Sequence, residues 1–97
     1  MVKALPKFKA AAMHVAPVFM DTQATVAKAC ALIKEAAAHG ARLIAFPETY
    51  VPAFPIWSAV RAPIENHEFF QRLTLAAIRV PSPEIGQLAA CARAHQV

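Results

Sequence analysis

Two short apolar runs, separated by a stretch with helical periodicity, open the chain. The first run, Phe8–Val15, ends just before Pro17, and so short a run before a proline favours a strand over a helix. The second run, Arg42–Phe46, is also short and mostly apolar. The pattern therefore predicts a strand, a helix and a strand, a unit in which parallel pairing and a right-handed crossover are strongly favoured.

The helix between these strands has a start signal, an apolar stripe and a stop signal. Asp21 or Thr22 can cap its amino end, and Gly40 is typical of the position just past a helix. The apolar positions that recur at helical spacing are Val26, Cys30, Ile33 and Ala37. These side chains are predicted to face the core.

Prolines and aromatic residues alternate in the segment that follows the second strand, residues 47–63. The prolines are Pro47, Pro52, Pro55 and Pro63, and the aromatic residues are Tyr50, Phe54 and Trp57. Because prolines restrict the unfolded chain, such a loop holds its side chains in place at a smaller ordering cost than a flexible loop. We expect a stiff loop whose side chains form a wall.

Two more helices are predicted after this loop. Asn66 can cap the first, which continues to about Ile78, and Ser82 caps the second, which continues to about His95. Proline and an acid directly after Ser82 strengthen that second start. The predicted apolar faces are Phe69, Phe70, Leu73 and Ala77 on the first helix and Ile85, Leu88, Ala89 and Ala92 on the second.

The order of these elements predicts the α/β class. An α/β pattern would begin another strand where the sequence reaches Val97. We therefore expect residues 1–97 to be the N-terminal portion of a single domain, truncated at its C-terminal side.

The composition indicates a large apolar surface that must be covered. The chain is 58% hydrophobic with a mean hydropathy of +0.40, which is high for 97 residues. No apolar run approaches the ~18 residues of a spanning helix, and Met1–Lys9 lacks the apolar centre of a signal peptide. A cytoplasmic protein that contacts no membrane is expected. The net charge of +4 is dispersed without a basic block, so nucleic acid is not an expected partner.

The cysteines and histidines offer no ligand pattern. Cys30 and Cys91 both fall in alanine-rich helical patterns, and without an export signal we expect them to be reduced, small core residues. The histidines His14, His39, His67 and His95 lack the spacing of metal ligands. No metal site is predicted.

Glu48 is the residue best placed for chemistry. It follows the second predicted strand within three residues, and ligands of open α/β sheets bind beyond the carboxyl ends of strands. An acid at the mouth of a buried strand is costly to ionise unless something there uses it. The alternative is that Glu48 ends the strand or pairs with a surface arginine.

Several stretches carry a resemblance to a known family. FKAAAMHVAPVFMD, EAAAHGARLIAFPETYVPAFPIW, the APIENH pattern at residues 62–67 and the SPE helix start together cover nearly the whole chain. They resemble the nitrilase branch of the carbon–nitrogen hydrolase superfamily, and the PAFP and APIENH forms are similar to arylacetonitrilase-type members.

The resemblance implies an α-β-β-α sandwich, a Cys-Glu-Lys catalytic set and no metal or organic cofactor. Glu48 matches the family's glutamate and would be the general base, whereas the cysteine and lysine would lie beyond Val97. The resemblance also implies that Tyr50, Phe54 and Trp57 line a hydrophobic rim, although each could instead pack the loop onto the core. The implied substrate is an organic nitrile of the arylaliphatic type. The implied partner is further copies of the chain in a homo-oligomer or filament. The alternative is a noncatalytic piece that only folds or associates with a partner.

Overall fold

The computed structural model describes residues 3–97, and its elements alternate between strand and helix at first and are helical afterwards. In chain order they are β1 (Lys9–Ala12), α1 (Thr22–Ala38), β2 (Ala41–Ala45), α2 (Trp57–Val60), a 3-10 turn (Pro63–Glu65), α3 (His67–Ala76) and α4 (Pro83–Ala94). The α/β class predicted from the sequence is confirmed.

The strands β1 and β2 form a parallel pair, as predicted for a strand–helix–strand unit. Ala12 lies opposite Ala45, and the pairing shifts register once, between Lys9 and Ala10. The pairing continues one step past β1, since the Met13 amide donates to the carbonyl of Ala45 at 2.8 Å. Strand β1 is shorter than the apolar run that predicts it, whereas β2 has the predicted length and begins one residue earlier.

Helix α1 provides most of the buried surface. Its buried side chains include Val26 at 0% exposure and Ile33 at 6%, together with Thr25 at 0%. Cys30 and Ala37, predicted to face the core, are only half-buried. The buried face of α1 thus shares Val26 and Ile33 with the predicted stripe, but it continues through Ala29 and Ala36 instead of Cys30 and Ala37.

Thr25 shows how a buried hydroxyl fixes the approach to α1. Its Oγ1 donates to the Val18 carbonyl at 2.9 Å and accepts from the Val18 amide at 3.1 Å. Both hydrogen-bonding capacities of the hydroxyl are used, which removes the cost of burying it. The segment before α1 is therefore held against the helix.

The predicted ends of α1 and α4 are confirmed in atomic detail. The Asp21 carboxylate accepts from the Ala24 amide at 2.9 Å, and the Ser82 hydroxyl accepts from the Ile85 amide at 3.2 Å. Gly40 follows α1 with a φ of 90°, a conformation that glycine adopts without steric cost. His95 caps the carboxyl end of α4, where the sequence predicts the helix to stop.

Two predictions about α3 were wrong. The helix ends at Ala76, two residues before Ile78, and the side chain of Asn66 makes no capping hydrogen bond. The amide group of Asn66 instead donates to backbone carbonyls of the preceding loop, which competes with capping. The faces of α3 and α4 are also less covered than expected, because neither helix contains a fully buried residue.

The prediction of reduced thiols was also wrong. Cys30 on α1 and Cys91 on α4 form a disulfide, with Cα atoms 5.8 Å apart and 61 residues between them in sequence. That Cα separation lies within the range that a disulfide spans. Helices α1 and α4 pack on one another, and the bridge joins them through two half-buried cysteines.

Among residues 3–97, no helix is both long enough and apolar enough to cross a membrane.

Candidate functional site

Glu48 lies at the carboxyl end of the parallel pair. It follows Ala45, the last residue of β2, by three positions, and the carboxyl end of β1 lies at the same edge because Ala12 pairs with Ala45. Its side chain is exposed. Glu48 therefore does not lie at the mouth of a buried strand, as the sequence suggested, because β2 itself is mostly exposed.

A tight turn fixes the backbone of Glu48. The Tyr50 amide donates to the Pro47 carbonyl at 3.2 Å, and the Thr49 hydroxyl donates to the carbonyl of Glu48 at 2.7 Å. Thr49 has a φ of 50°, in the left-handed region that β-branched residues seldom enter. Such conformations persist where the surrounding structure holds them, and they cluster at functional sites.

Tyr50 attaches this turn to the segment that follows β1. Its side chain is 6% exposed, its hydroxyl donates to the Ala16 carbonyl at 3.1 Å, and its ring centroid lies 5.1 Å from that of Phe46. Burial raises the pKa of the Tyr50 hydroxyl above its usual value. The ring packs inside the protein here, so any effect on a ligand would be indirect.

A second contact reinforces this attachment. The amide of Met20, which precedes α1, donates to the Pro52 carbonyl at 3.3 Å. The turn that carries Glu48 is thus bound at Tyr50 and at Pro52 to the connection between β1 and α1. A short polar segment held at two points is suited to present a side chain in a fixed place.

Phe54 differs from the other aromatic residues of the loop because its side chain is 49% exposed. Local hydrogen bonds hold its backbone: the Ile56 amide donates to the Phe54 carbonyl at 2.8 Å, and the Ser58 hydroxyl donates to the Pro55 carbonyl at 2.7 Å. Of the three predicted rim residues, Phe54 is the one whose ring is accessible to a ligand.

Trp57 packs against α3. Its side chain is 4% exposed, its ring stacks on Phe69 at 5.5 Å between centroids, and it meets Phe70 edge-on at 4.7 Å. The indole N–H of Trp57 is buried without a hydrogen-bond partner among the described residues. Trp57 therefore connects the loop to α3, and its predicted place at the rim stays a prediction.

The structure brings only part of the predicted site together. Glu48 and Tyr50 share one turn, and Phe54 follows on the same loop, whereas Trp57 belongs to the aromatic cluster of α2 and α3. An open groove of about 670 Å³ lies elsewhere, at the start of α1 and the end of α3, and Glu48 does not line it.

Within residues 3–97, no group of three or more His, Cys, Asp or Glu side chains is arranged to hold a metal ion.

Sequence reasoning missed the role of Asn66. Its residue type and position suggested a helix cap, whereas its side chain is 1% exposed and donates to the carbonyls of Trp57 and Arg61, both at 3.3 Å. One signal was available: Asn66 is the only asparagine of the chain and ends an unusual proline-rich loop. Spacing alone could not distinguish a cap from a loop clamp.

Comparison with known families gives one match that covers most of the chain. The family model described as carbon–nitrogen hydrolase matches residues 9–97.

Individual relatives agree with this family match. The chain is 44% identical to an arylacetonitrilase of Hypocrea virens over 77 residues. This aligned region covers 79% of the chain and 23% of the relative. It is 36% identical over 83 residues to a nitrilase of a Bacillus species, covering 86% of the chain and 24% of the relative. It is also 37% identical to a bifunctional nitrilase/nitrile hydratase of Nicotiana tabacum, and this match covers 95% of the chain and 28% of the relative. The chain thus spans about a quarter of the length of these relatives.

Proposed function

Because the chain belongs to the carbon–nitrogen hydrolase family, as its match over residues 9–97 shows, we propose that it forms the N-terminal part of an enzyme that hydrolyses an organic nitrile. The products are the corresponding carboxylic acid and ammonia. The names of the relatives, which include arylacetonitrilases from Hypocrea virens and Aspergillus oryzae, support an arylaliphatic nitrile as the substrate.

Glu48 is the general base of this proposal. The observation that carries it is the placement of an accessible carboxylate at the carboxyl end of the parallel pair, on a turn that Tyr50 binds to the rest of the fold. Ligands of open α/β sheets bind at that edge. An accessible carboxylate on a fixed turn can meet a thiol contributed by another segment, whereas a carboxylate packed inside this chain could not.

The proposed reaction divides into two stages. Glu48 takes the proton of a cysteine thiol as the sulfur attacks the nitrile carbon, and the nitrile nitrogen then receives that proton, which gives a covalent thioimidate. Water adds to the thioimidate carbon, ammonia leaves, and an acyl-enzyme thioester results. A second water, again deprotonated by a base, attacks the thioester, releases the carboxylic acid and restores the thiol.

Neither cysteine of this chain is the proposed nucleophile. Cys30 and Cys91 are bonded to one another, and a disulfide sulfur has no thiolate to offer. Neither stands in the nucleophile motif of the family that the sequence resembles. We assign the nucleophilic cysteine and the lysine that stabilises the tetrahedral species to the remaining three quarters of the length found in the relatives.

Phe54 is the proposed contact for the aryl part of the substrate. Its exposed ring follows Glu48 on the same loop and can offer an apolar surface to a ligand. Tyr50 and Trp57, whose rings are buried here, act on the pocket through the loop that they hold. Assembly into a homo-oligomer or filament stays a prediction from the family resemblance.

A hybrid enzyme tests this proposal. This chain replaces the matching segment of the Hypocrea virens arylacetonitrilase, with the unmodified relative as the control. We expect the hybrid to convert phenylacetonitrile to ammonia and phenylacetic acid in equal amounts. A hybrid that folds, by its melting profile and far-ultraviolet spectrum, but releases no ammonia would contradict the proposed function.

A further inference from the structure

Asn66 is a buried side chain to which the reaction described above gives no role. It is 1% exposed, and its Nδ2 donates to the carbonyl of Trp57 and to the carbonyl of Arg61, each at 3.3 Å. These two carbonyls mark the first residue of α2 and the residue directly after that helix. One amide group thus ties both ends of α2 to the start of α3.

Helix α2 needs such a tie because it is only four residues long. Helices this short are not stable by themselves, since the cost of ordering the first turn exceeds what so few hydrogen bonds return. Its amino end has no side-chain cap, and its carboxyl end closes with one bond from the Arg61 amide to the Trp57 carbonyl at 3.1 Å. The contacts with α3 must therefore hold it.

Side-chain packing acts at the same place as Asn66. Trp57 stacks on Phe69 and meets Phe70, both on α3, and the Arg61 guanidinium lies 5.1 Å from the centroid of the Phe69 ring. The backbone of Trp57 is fixed by Asn66 and its ring is fixed by α3. Together these contacts define where α2 lies.

The position of α2 is passed on to Phe54 through three short hydrogen bonds. The Ser58 amide and hydroxyl both donate to the Pro55 carbonyl, at 3.0 and 2.7 Å, and the Ile56 amide donates to the Phe54 carbonyl at 2.8 Å. The exposed ring of Phe54 thus begins a segment whose other end is clamped by Asn66.

We propose that Asn66 is a positioning residue for substrate selection: its buried amide clamps α2 and thereby sets the place of the Phe54 ring on the loop that carries Glu48. The proposal rests on the proposed nitrile hydrolysis and adds to it the residue that shapes the aryl contact. The active feature is the NH2 group, because it faces two carbonyl acceptors while Oδ1 is buried without a partner among the described residues. A group of the same shape without those donors would fail to clamp the loop.

The test uses the hybrid enzyme and three substitutions. Asn66→Ala removes the side chain, Asn66→Leu keeps its approximate size and shape but presents no donor to the two carbonyls, and Gln71→Ala removes an exposed amide of α3 as the matched control. Two quantities are measured: the ratio of kcat/KM for phenylacetonitrile to kcat/KM for a short aliphatic nitrile, and the fluorine NMR signal of fluorotryptophan at Trp57. The Trp57→Phe variant assigns that signal.

We expect both Asn66 variants to lower the selectivity ratio about fivefold, the size of one lost aromatic contact, chiefly through KM for the aryl substrate. Both should also shift or broaden the Trp57 signal, and Gln71→Ala should change neither quantity. A selectivity ratio that Asn66→Leu leaves at the wild-type value would overturn the proposal, since shape alone would then suffice. Equal loss of activity on both nitriles, with the Trp57 signal unmoved, would overturn it as well.

Failure of the proposed nitrile hydrolysis can be distinguished from failure of the role proposed for Asn66. A folded hybrid with Asn66 in place that hydrolyses neither nitrile contradicts nitrile hydrolysis, and the selectivity role falls with it. The Trp57 signal then still reports whether Asn66 clamps α2, because that measurement requires no turnover.

Discussion

Glu48 and Phe54 share a property at the residue scale that separates them from Tyr50 and Trp57: their side chains reach solvent. The two buried aromatic residues attach the loop at two different places, Tyr50 to the connection after β1 and Trp57 to α3. The loop thus has two anchors: Phe54 lies between them, and Glu48 lies two residues before the first. This arrangement suits a site in which a base and an apolar contact are presented together.

Replacing Phe54 by Leu tests the aryl contact. Because the ring is 49% exposed, trimming it should cost little stability, while the lost aromatic contact is worth about 1 kcal/mol of discrimination. In the hybrid enzyme, kcat/KM for phenylacetonitrile should fall relative to that for a short aliphatic nitrile, with the melting temperature nearly unchanged. A parallel fall for both nitriles with a lower melting temperature would show that Phe54 only packs the loop.

Tyr50 gives a pH dependence whose sign is fixed by burial. Its hydroxyl pKa is raised above the usual value of 10.0 by burial, so the folded state retains the proton at a pH where the unfolded state has lost it. The stability that this proton contributes is fully present below pH 10.0 and is lost as the pH rises through the higher folded-state value. The free energy of unfolding of the hybrid should therefore decline in that alkaline range.

The variant Tyr50→Phe isolates this effect from the titration of lysines. Its stability should decline less steeply above pH 10.0 than that of the hybrid with Tyr50 in place, as measured by denaturant unfolding at a series of pH values. Identical alkaline profiles would mean that the Tyr50 hydroxyl is not buried in the way described. The loss of the hydrogen bond to Ala16 lowers stability at every pH and does not affect the comparison of slopes.

At the scale of elements, the sequence patterns that were interpreted correctly are local. Asp21, Gly40 and Ser82 act on residues within one helical turn of themselves, so their effect is visible in sequence. The parallel pairing of β1 and β2 also follows from the order of elements, because a crossover helix between adjacent strands leaves few other arrangements.

The elements that could not be predicted depend on contacts that are distant in sequence. Helix α2 is too short to produce a periodic pattern, and it forms because Asn66 and the aromatic rings of α3 hold it. The placement of Glu48 beyond β2 was predicted, but its exposure was not, since exposure depends on how much of the sheet other elements cover. Sequence likewise does not distinguish the buried Tyr50 and Trp57 from Phe54, whose ring is exposed.

The disulfide is the clearest case of this kind. Whether Cys30 and Cys91 meet depends on the packing of α4 against α1 across 61 residues, which neither helical pattern reveals. The expectation of free thiols was argued from the cellular compartment, and the compartment says nothing about which helices pack together.

Peptide mapping tests the bridge between α1 and α4. Digestion of the unreduced hybrid enzyme should yield one fragment containing both Cys30 and Cys91, and reduction should separate it into two. A bridge across 61 residues contributes about 4 kcal/mol by restricting the unfolded chain, so reduction should also lower the denaturant midpoint strongly. Complete alkylation of both thiols without any reductant would contradict the bridge.

At the scale of the whole molecule, the described residues leave much apolar surface uncovered. Large side chains such as Leu5, Ile64 and Leu75 are more than four-fifths exposed, and Phe8 and Leu43 are exposed beside the two-stranded sheet. Monomeric proteins seldom leave so much apolar surface in contact with water, and a two-stranded sheet is marginal without further strands. The chain also spans about a quarter of the length of its relatives. We propose that further protein covers this apolar surface.

Two outcomes are expected of the 97 residues produced alone. The chain should hydrolyse no nitrile, because it contains the proposed base without a free thiol to act as nucleophile. It should also be poorly soluble or only partly folded, as judged by sedimentation and thermal melting. A monomer with a cooperative melt would contradict the second expectation, and ammonia release that is abolished by Cys30→Ala or Cys91→Ala would contradict the first.

The role of Glu48 is tested most directly by Glu48→Gln in the hybrid enzyme, with Glu35→Gln, an exposed glutamate of α1, as the matched control. Glutamine keeps the size and hydrogen bonding of the side chain but removes the base, so ammonia release from phenylacetonitrile should fall at least ~100-fold while the far-ultraviolet spectrum is unchanged. The control should retain full activity. Ammonia release by the Glu48→Gln enzyme within a few-fold of the parent hybrid would contradict the assignment of Glu48 as the general base.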